Sequence, residues 1–392
     1  MTGVAHDARL RDEAALGDRL KAPDRGITLF RDGRVPHLCY MPLQSLVGHD
    51  ALRQRLGSAV ARGTMPGSLL LHGRRGVGKQ RLALWLGQTL LCSGSPTPCG
   101  SCQSCRYSTE LTHPDLYWFF PVPRAEIADC SPEEALGVMR GAMRERALGG
   151  GLWGPSSGSE ALYVEMIRAL VRAAASSPAI ARRKVMILGD ADRLIAQEGS
   201  DQAANALLKL LEEPLPDTTL ILTTSEPGAL LPTIRSRVVS VRVAPLSQVE
   251  LTEWVSRDAV RAKVGQIGSE QIERAGGAPG ALLSGTGAEA AAAHAASWLK
   301  ASRGDPADRF TATLSEKPAG ARGTFSDALD ALEGLLHARL GPAVASGSPS
   351  ALPLTRAHDA IDAARERAAH NVNPALITAE LLREMHRLGI NA

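Results

Sequence analysis

The stretch HGRRGVGKQ, residues 72–80, holds most of a phosphate-binding loop of the form G-x-x-x-x-G-K-[ST]: Gly73, Gly78 and Lys79 fall at its fixed positions, with Gly76 between them. A glycine-rich turn at a helix N-terminus aims backbone N–H groups at an anion, and the helix dipole adds to the attraction. Lys79 would reach the β- and γ-phosphates of a nucleotide. The last position should carry a hydroxyl that ligates Mg²⁺, and it carries Gln80. A longer amide cannot copy that hydroxyl without displacing the metal. ATP or ADP binding through Lys79 and the backbone is compatible with this change, whereas efficient Mg²⁺-dependent chemistry is disfavoured. The alternative is a tight glycine turn that holds no ligand.

A second position bears on the same chemistry. The apolar run in KVMILGDADR ends at Asp190, which resembles the Walker B carboxylate that holds Mg²⁺ through water. Hydrolysing sites of the AAA+ class follow that Asp with a Glu, which polarises the attacking water, and here Ala191 follows. Asp192 comes next, but a shift of two residues seldom restores geometry of such precision. Positions 80 and 191 depart in the same direction, which suggests a retired site.

Four of the six cysteines are clustered, Cys92, Cys99, Cys102 and Cys105, with the spacing C-x₆-C-x₂-C-x₂-C. Four thiolates so close suit a closed tetrahedral Zn²⁺ site, structural because no position is left open for water. A redox cluster or unligated thiols are the alternatives. Cys39 and Cys130 lie outside the set. In TIRSRVVSV, Ser236 and Arg237 follow a helical pattern and precede a strand pattern. An arginine there is a candidate to reach a neighbouring subunit's nucleotide, with a surface ion pair as the alternative.

These residues need a scaffold that alternates strand and helix. SLLLHG, DLYWFFPV, KVMILGD, TTLILTTSEP and VVSVRVAPL read as strands, the first ending at the glycine loop. Residues 46–56 read as a helix. KQRLALWLGQTLL places Leu82, Trp85, Leu86 and Leu90 on one helical face, and ALYVEMIRALVRAAA places Val164, Ile167, Val171 and Ala174 on one stripe. AANALLKLLEEP is a helix stopped by Pro214. The pattern predicts a parallel sheet covered on both faces. Residues 124–160 read as an insertion with Gly/Ser-rich flanks, a mobile loop carrying one helix. After Pro245 the strands cease. Ser247 and Glu250 form a candidate capping box, and the remainder is helical, with Gly/Pro/Ser linkers at 276–287 and 341–353.

The expected organisation is an extension over 1–41, an α/β domain over 42–244 holding the cysteine module 92–105 and the insertion 124–160, a small helical domain over 245–288 and a second over 289–392. Met41 opens the first periodic segment. A native start at Met41 and a native extension before it are both compatible with the sequence. A net charge of +3 over 392 residues gives no bulk attraction to nucleic acid, and 4% aromatics disfavour a base-stacking platform. The charged N-terminus lacks the apolar core of a secretory signal, and no run is apolar and long enough to span a bilayer, so a cytoplasmic protein without membrane contact is expected.

With VGHDALRQRL, GRRGVGK, the four cysteines, THPDLYWF, ANALLKLLEEP, LTTSEP and IRSRV in this order, the chain resembles the bacterial sliding-clamp loader family of DNA polymerase III, an AAA+ family. The resemblance is strong over about residues 42–290. It continues weakly to NVNPALITAELLREM, which is similar to the last helix of the family's oligomerising collar. It implies a P-loop NTPase-like α/β domain followed by an all-α lid and an all-α collar. It places Thr224 and Ser225 in the sensor-1 region. Motor subunits of the family, gamma/tau, carry an intact G-K-[ST], Asp-Glu at Walker B and a sensor-2 arginine; this chain has Gln80, Asp190-Ala191 and Gly280. All three departures are of the delta-prime kind.

The resemblance therefore implies a stator without ATPase activity of its own, an accessory subunit of the DNA-directed DNA polymerase III holoenzyme. Its partners would be gamma/tau and delta subunits and, through the assembly, the sliding clamp and primed DNA. Arg237 would serve as a trans-acting arginine finger, although the family's Ser-Arg-Cys is Ser-Arg-Val here, with Val238. Two other readings are an active clamp-loader ATPase with Asp192 as base, and a zinc-stabilised DNA-binding repair protein using a basic stripe near Lys209.

Overall fold

The apolar runs form five strands: β1 (Ser68–His72), β2 (Leu116–Phe119), β3 (Lys184–Leu188), β4 (Thr218–Thr224) and β5 (Val239–Arg242). β3 and β4 are buried along their whole length, as strands covered on both faces should be. All pairings are parallel, in the order β2-β3-β4-β1-β5. His72 pairs with Thr224, and Leu188 with Leu222, so the carboxyl ends of β1, β4 and β3 lie side by side. The glycine loop with Lys79 and Gln80, the Asp190–Asp192 segment, and Thr224 with Ser225 fall at or just beyond these three ends. Such a crevice is where open α/β sheets bind ligands.

The computed structural model describes residues 43–154, 156, 160–194, 200–213, 215, 217–283, 286–316, 321–369 and 372–390. The extension over 1–41, and Cys39 within it, lie outside the described residues, as does Pro214. Residues 41–392 form one compact unit.

Helices cover the sheet. α1 (Asp50–Ala61) starts four residues later than the sequence pattern suggested, because Gly48 and His49 turn the chain through positive φ first. α2 (Lys79–Leu91) grows directly from the glycine loop, and α3 (Gln103–Thr109) follows the cysteines. Leu82 and Leu86 of α2 are fully buried, with Trp85 and Leu90 half-buried beside them. The insertion departs most from its expectation. It holds two helices, α4 (Arg124–Ile127) and α5 (Pro132–Leu148), and α5 is started by a Ser131/Glu134 capping box with Pro at its first position. Ala135, Met139, Met143 and Ala147 recur every four residues and are buried in the main core with Ile127. A backbone bridge between Val122 and Ala161 closes its base. The described residues of the segment are a packed part of the domain, because this stripe buries apolar surface that a loop would leave in water.

α6 (Val164–Ala175) buries Met166, Ile167, Ala169, Leu170, Ala173 and Ala174, a face rotated from the stripe read off the sequence: Val164 and Val171 stay half-buried. α7 (Ser200–Glu212) and the short α8 (Pro232–Arg235) complete this layer.

Beyond Pro245 the chain is helical among the described residues. α9 (Gln248–Ser256) opens with the expected Ser247/Glu250 box, followed by α10 (Asp258–Val264), α11 (Ser269–Ala275) and α12 (Pro279–Leu283). They share a small core of Leu251, Trp254, Val255, Val260 and Ala275. α13 (Thr286–Arg303), α14 (Pro306–Leu314), α15 (Ala321–Ala345), α16 (Ala351–Ala369) and α17 (Pro374–Arg387) build a separate core around Trp298, Phe325, Leu332, Ile361 and Leu382. The stretches read as linkers are mostly helical: α12 lies inside the first, and α15 runs through Pro342 into the second. Among the described residues, no helix is long and apolar enough to cross a membrane.

Candidate functional site

The glycine loop leaves β1 at Gly73 and enters α2 at Gly78, with positive φ at Gly73, Gly76 and Gly78. At Gly73 the backbone passes so close to Val243 that a Cβ would stand 2.3 Å from its carbonyl oxygen. The loop has the conformation expected from its glycines. Its side chains, however, face the protein. Lys79 is buried and donates to Gly73 O at 2.8 Å, Arg74 O at 3.0 Å and Ser225 Oγ at 3.0 Å, which engages all three of its ammonium hydrogens. Burial lowers its pKa, and the Asp190 and Asp192 carboxylates oppose that shift.

Gln80 is equally engaged. Its Oε1 accepts from Trp118 Nε1 at 3.2 Å and from Arg146 of α5 at 3.5 Å, and its amide lies against Gly189, where a Cβ would come within 2.7 Å of it. Arg146 also sits over the rings of Phe120, Trp118 and Trp153, at 3.4, 4.8 and 5.3 Å from their centroids. Burial pulls its pKa down to about 10, so it stays charged at neutral pH.

Asp190 accepts from Ser156 Oγ at 3.0 Å, and its own backbone N–H donates to Thr223 Oγ1. Ala191 is fully buried. Asp192 Oδ1 accepts from Thr224 Oγ1 at 2.5 Å and from Ser225 N at 3.2 Å, so the residues that end β4 bind this carboxylate. Arg75 pairs with Asp327 and Asp330 of α15 and donates to Ser156 O. Arg74 donates to Gly276 O. Gly280 N donates to Gly76 O at 2.9 Å, and a Cβ at Gly280 would stand 2.7 Å from Gly76 Cα. An arginine at 280 is excluded by that contact. The remaining cavity beside the loop, bounded by Val47, His49, Trp153 and Leu283 among others, is about 110 Å³. Ligand pockets run to roughly 300–1,000 Å³. The phosphate loop is well formed, and its lysine, amide and carboxylate are engaged within the chain.

Nearby, Arg365 of α16 pairs with Asp330, Glu333 and Asp362, and with Glu226 just beyond β4. Burial works against its charge, and Glu333 and Glu226 more than offset this, holding its pKa above the usual value.

The cysteine module is arranged in the opposite sense. The sulfur atoms of Cys92, Cys99, Cys102 and Cys105 all lie within 4.8 Å of one another, a set that could hold a metal ion. Backbone N–H groups of Gly94 and Cys99 donate to Cys92 Sγ at 3.3 Å, Cys102 N to Cys99 Sγ and Cys105 N to Cys102 Sγ at 3.4 Å. Cys130 lies apart, near Glu126.

Arg237 lies at the surface just before β5. It pairs with Glu212 at 2.9 Å, and donates to Thr233 O. Lys209 is on α7. Sequence reasoning missed Arg146, Trp153, Ser156, Arg75 and Arg365. The one available signal was LWG, a large aromatic set among glycines in a chain with five tryptophans.

A parallel sheet in the order 2-3-4-1-5, with a glycine loop after β1, an acid after β3, polar residues ending β4 and helical domains behind, is the P-loop NTPase-like core of the AAA+ class. Residues 48–247, just over half the chain, match the family model described as DNA polymerase III, delta subunit, and the chain belongs to that family. It is 31% identical over 213 residues to the DNA polymerase III subunit delta' of Pseudomonas aeruginosa, covering 54% of this chain and 52% of the relative. It is 28% identical over 218 residues to that of Escherichia coli, covering 55% and 53%. The gamma/tau subunit of Mycobacterium tuberculosis is 30% identical over 194 residues, 49% of this chain and 27% of the relative. The chain thus matches about half the length of its delta' relatives. A solved gamma subunit-related protein of Thermotoga maritima overlaps 86% of this chain and 99% of its own, at 16% identity and a TM-score of 0.36.

Proposed function

We propose that the chain is a non-hydrolysing delta-prime-type stator of a DNA polymerase III clamp loader. It supplies Arg237 to the ATP site of a neighbouring gamma/tau-type motor, and the assembly opens a sliding clamp and places it on primed DNA. The observation that carries the reading is Lys79: each of its hydrogens is held by this chain's own Gly73, Arg74 or Ser225. The alternative of an active ATPase with Asp192 as base is weakened by the Thr224 and Ser225 donors, which hold Oδ1 of that carboxylate within the chain. Arg237 sits on the surface and is held by an exposed ion pair to Glu212, an interaction worth about 0–1 kcal/mol, so it can leave for a neighbour's phosphoryl group at little cost. The residues over 42–244, 245–288 and 289–392 are read as AAA+ domain, lid and collar.

Zn²⁺ is the metal we assign to the cysteines. A tetrahedral site with Zn–S of about 2.3 Å needs sulfur atoms about 3.8 Å apart, and Cys92 and Cys102 are separated by 3.9 Å. With four protein ligands it would hold the module together and perform no chemistry.

The test is ATP turnover of the complex rebuilt with the motor subunit from the same source. Arg237→Ala should cut turnover at the adjoining motor site by roughly 10³-fold or more. Lys79→Ala should leave turnover near wild type in complexes shown by gel filtration to assemble. Turnover unchanged by Arg237→Ala would sink the finger, and ATP turnover by this chain alone would make it a motor.

A further inference from the structure

The groups around the phosphate loop come from an unexpected source. Four of them belong to the insertion: Arg146, Leu152, Trp153 and Ser156. Trp153 and its neighbours Gly151, Leu152 and Gly154 wall the same cavity as Gly76, Val77, Gly78 and Lys79. The Trp153 ring stacks at 4.9 Å from Trp118 and lies under the Arg81 guanidinium at 5.5 Å. Arg81 is the residue after Gln80, and its other contact is Gln44 O. Ser156 is buried and bonds three charged residues at once: its hydroxyl donates to Asp190, and its carbonyl accepts from Arg75 and Arg193. Arg146 bonds the amide at the position where a motor would ligate its metal.

We infer that the insertion is a built-in plug: Arg146, Leu152, Trp153 and Ser156 stand in the crevice of the phosphate loop, and the chain takes up neither ATP nor ADP there. This rests on the stator reading and supplies its physical cause. Gln80 alone would remove a metal ligand and leave the phosphate-binding N–H groups and Lys79 available. The plug does more. Ser156 occupies the Asp190 carboxylate that a hydrated metal needs. Arg146 puts a fixed positive charge beside Gln80, which repels a divalent cation. Trp153, stacked between two guanidinium groups and a second indole, fills apolar space beside the loop. Such stacking is strong where water is excluded. The Val122–Ala161 bridge pins both ends of the insertion, so the plug is delivered by a closed, packed element.

The experiment is calorimetric titration of the full chain with Mg·ATP and Mg·ADP up to about 1 mM, the upper range of working nucleotide affinities. The proteins are wild type, Trp153→Ala/Ser156→Ala, and that pair combined with Gln80→Thr, with folding checked by circular dichroism. Wild type should show no binding. Opening the plug should bring the dissociation constant to at least tenfold below the limit, and Gln80→Thr should tighten Mg·ATP further. Binding by wild type, or folded opened variants that bind no better than wild type, would overturn the plug. Hydrogen exchange of wild type gives a reading that does not depend on the variants folding. Mg·ATP should leave protection over residues 73–80 unchanged, and added protection there refutes the proposal. The motor-turnover test of Arg237 is separate: nucleotide in this pocket with a working finger removes the plug alone, and an empty pocket with no finger effect removes the stator role alone.

Discussion

The cysteine module and the phosphate loop hold the same kind of chemistry and use it in opposite ways. Four sulfur atoms turn toward one another, with backbone N–H groups supporting them, and form a set that could hold a metal ion. In the loop the cation, the amide and the carboxylate each have a partner within the chain. On the stator reading, the difference is that between a site kept for a ligand and one whose groups have found partners within the fold. Lys79 carries three internal hydrogen bonds, so it has a structural role that does not depend on a ligand. A motif match reports the backbone shape and is silent on where the side chains turn.

Three measurements sharpen or break this comparison, beginning with the largest effect. Removing the metal should abolish the order of the cysteine module, since structural Zn²⁺ supplies about 10 kcal/mol or more of apparent folding energy in such modules. A chelator, or Cys102→Ser, should therefore open residues 92–109 to limited proteolysis. Unchanged cleavage would mean that the sulfur atoms are as self-sufficient as the loop.

Next, Lys79→Ala should lower the stability of the isolated chain by about 3 kcal/mol in denaturant titration, because buried acceptors lose a charged donor. A lysine that waited for phosphate would cost little without nucleotide, so a change near zero would undo the contrast.

The smallest effect is in pH dependence. His49 Nε2 bonds Val77 O at 3.0 Å, and burial lowers its pKa below the ordinary value of about 6.5. The unfolded chain then binds more protons than the folded one as pH falls below that value. The stability His49 contributes is whole above about pH 6.5 and is lost toward its folded pKa. His49→Gln, which keeps an N–H donor for Val77 O, should flatten the fall in stability between about pH 7 and pH 5. An identical slope would show that the loop does not depend on a neutral His49.

Much of the scaffold was legible because its strongest signals are local. All five strands come from apolar runs that stop at Gly, Pro or polar residues, and the capping box at Ser247 forms as its residue types require. The convergence of Cys92, Cys99, Cys102 and Cys105 also follows from short spacing. What was illegible is long-range or weakly apolar. The buried stripe of α5 is alanine and methionine every fourth residue, followed by a glycine-rich run, so a helix is legible there and its packing into the core is not until its partner surface is known. The rotation of the α6 face arose the same way, since its alanines are buried and its valines only half so. The meeting of Ser156 with Asp190, or of Arg75 with Asp330, joins residues far apart in sequence, and no periodicity announces it. Gln80 was legible as a missing metal ligand and illegible as a partner of Trp118.

Asp330 is shared by Arg75, in the loop after β1, and by Arg365, which also holds Glu226 beyond β4. Two helices of the C-terminal bundle, α15 through Asp330 and α16 through Arg365, thereby brace the ends of two adjacent strands. A load on the bundle is expected to reach the two strand ends through these ion pairs. Because the network is largely shielded from solvent, salt should weaken this brace far less than it weakens surface ion pairs.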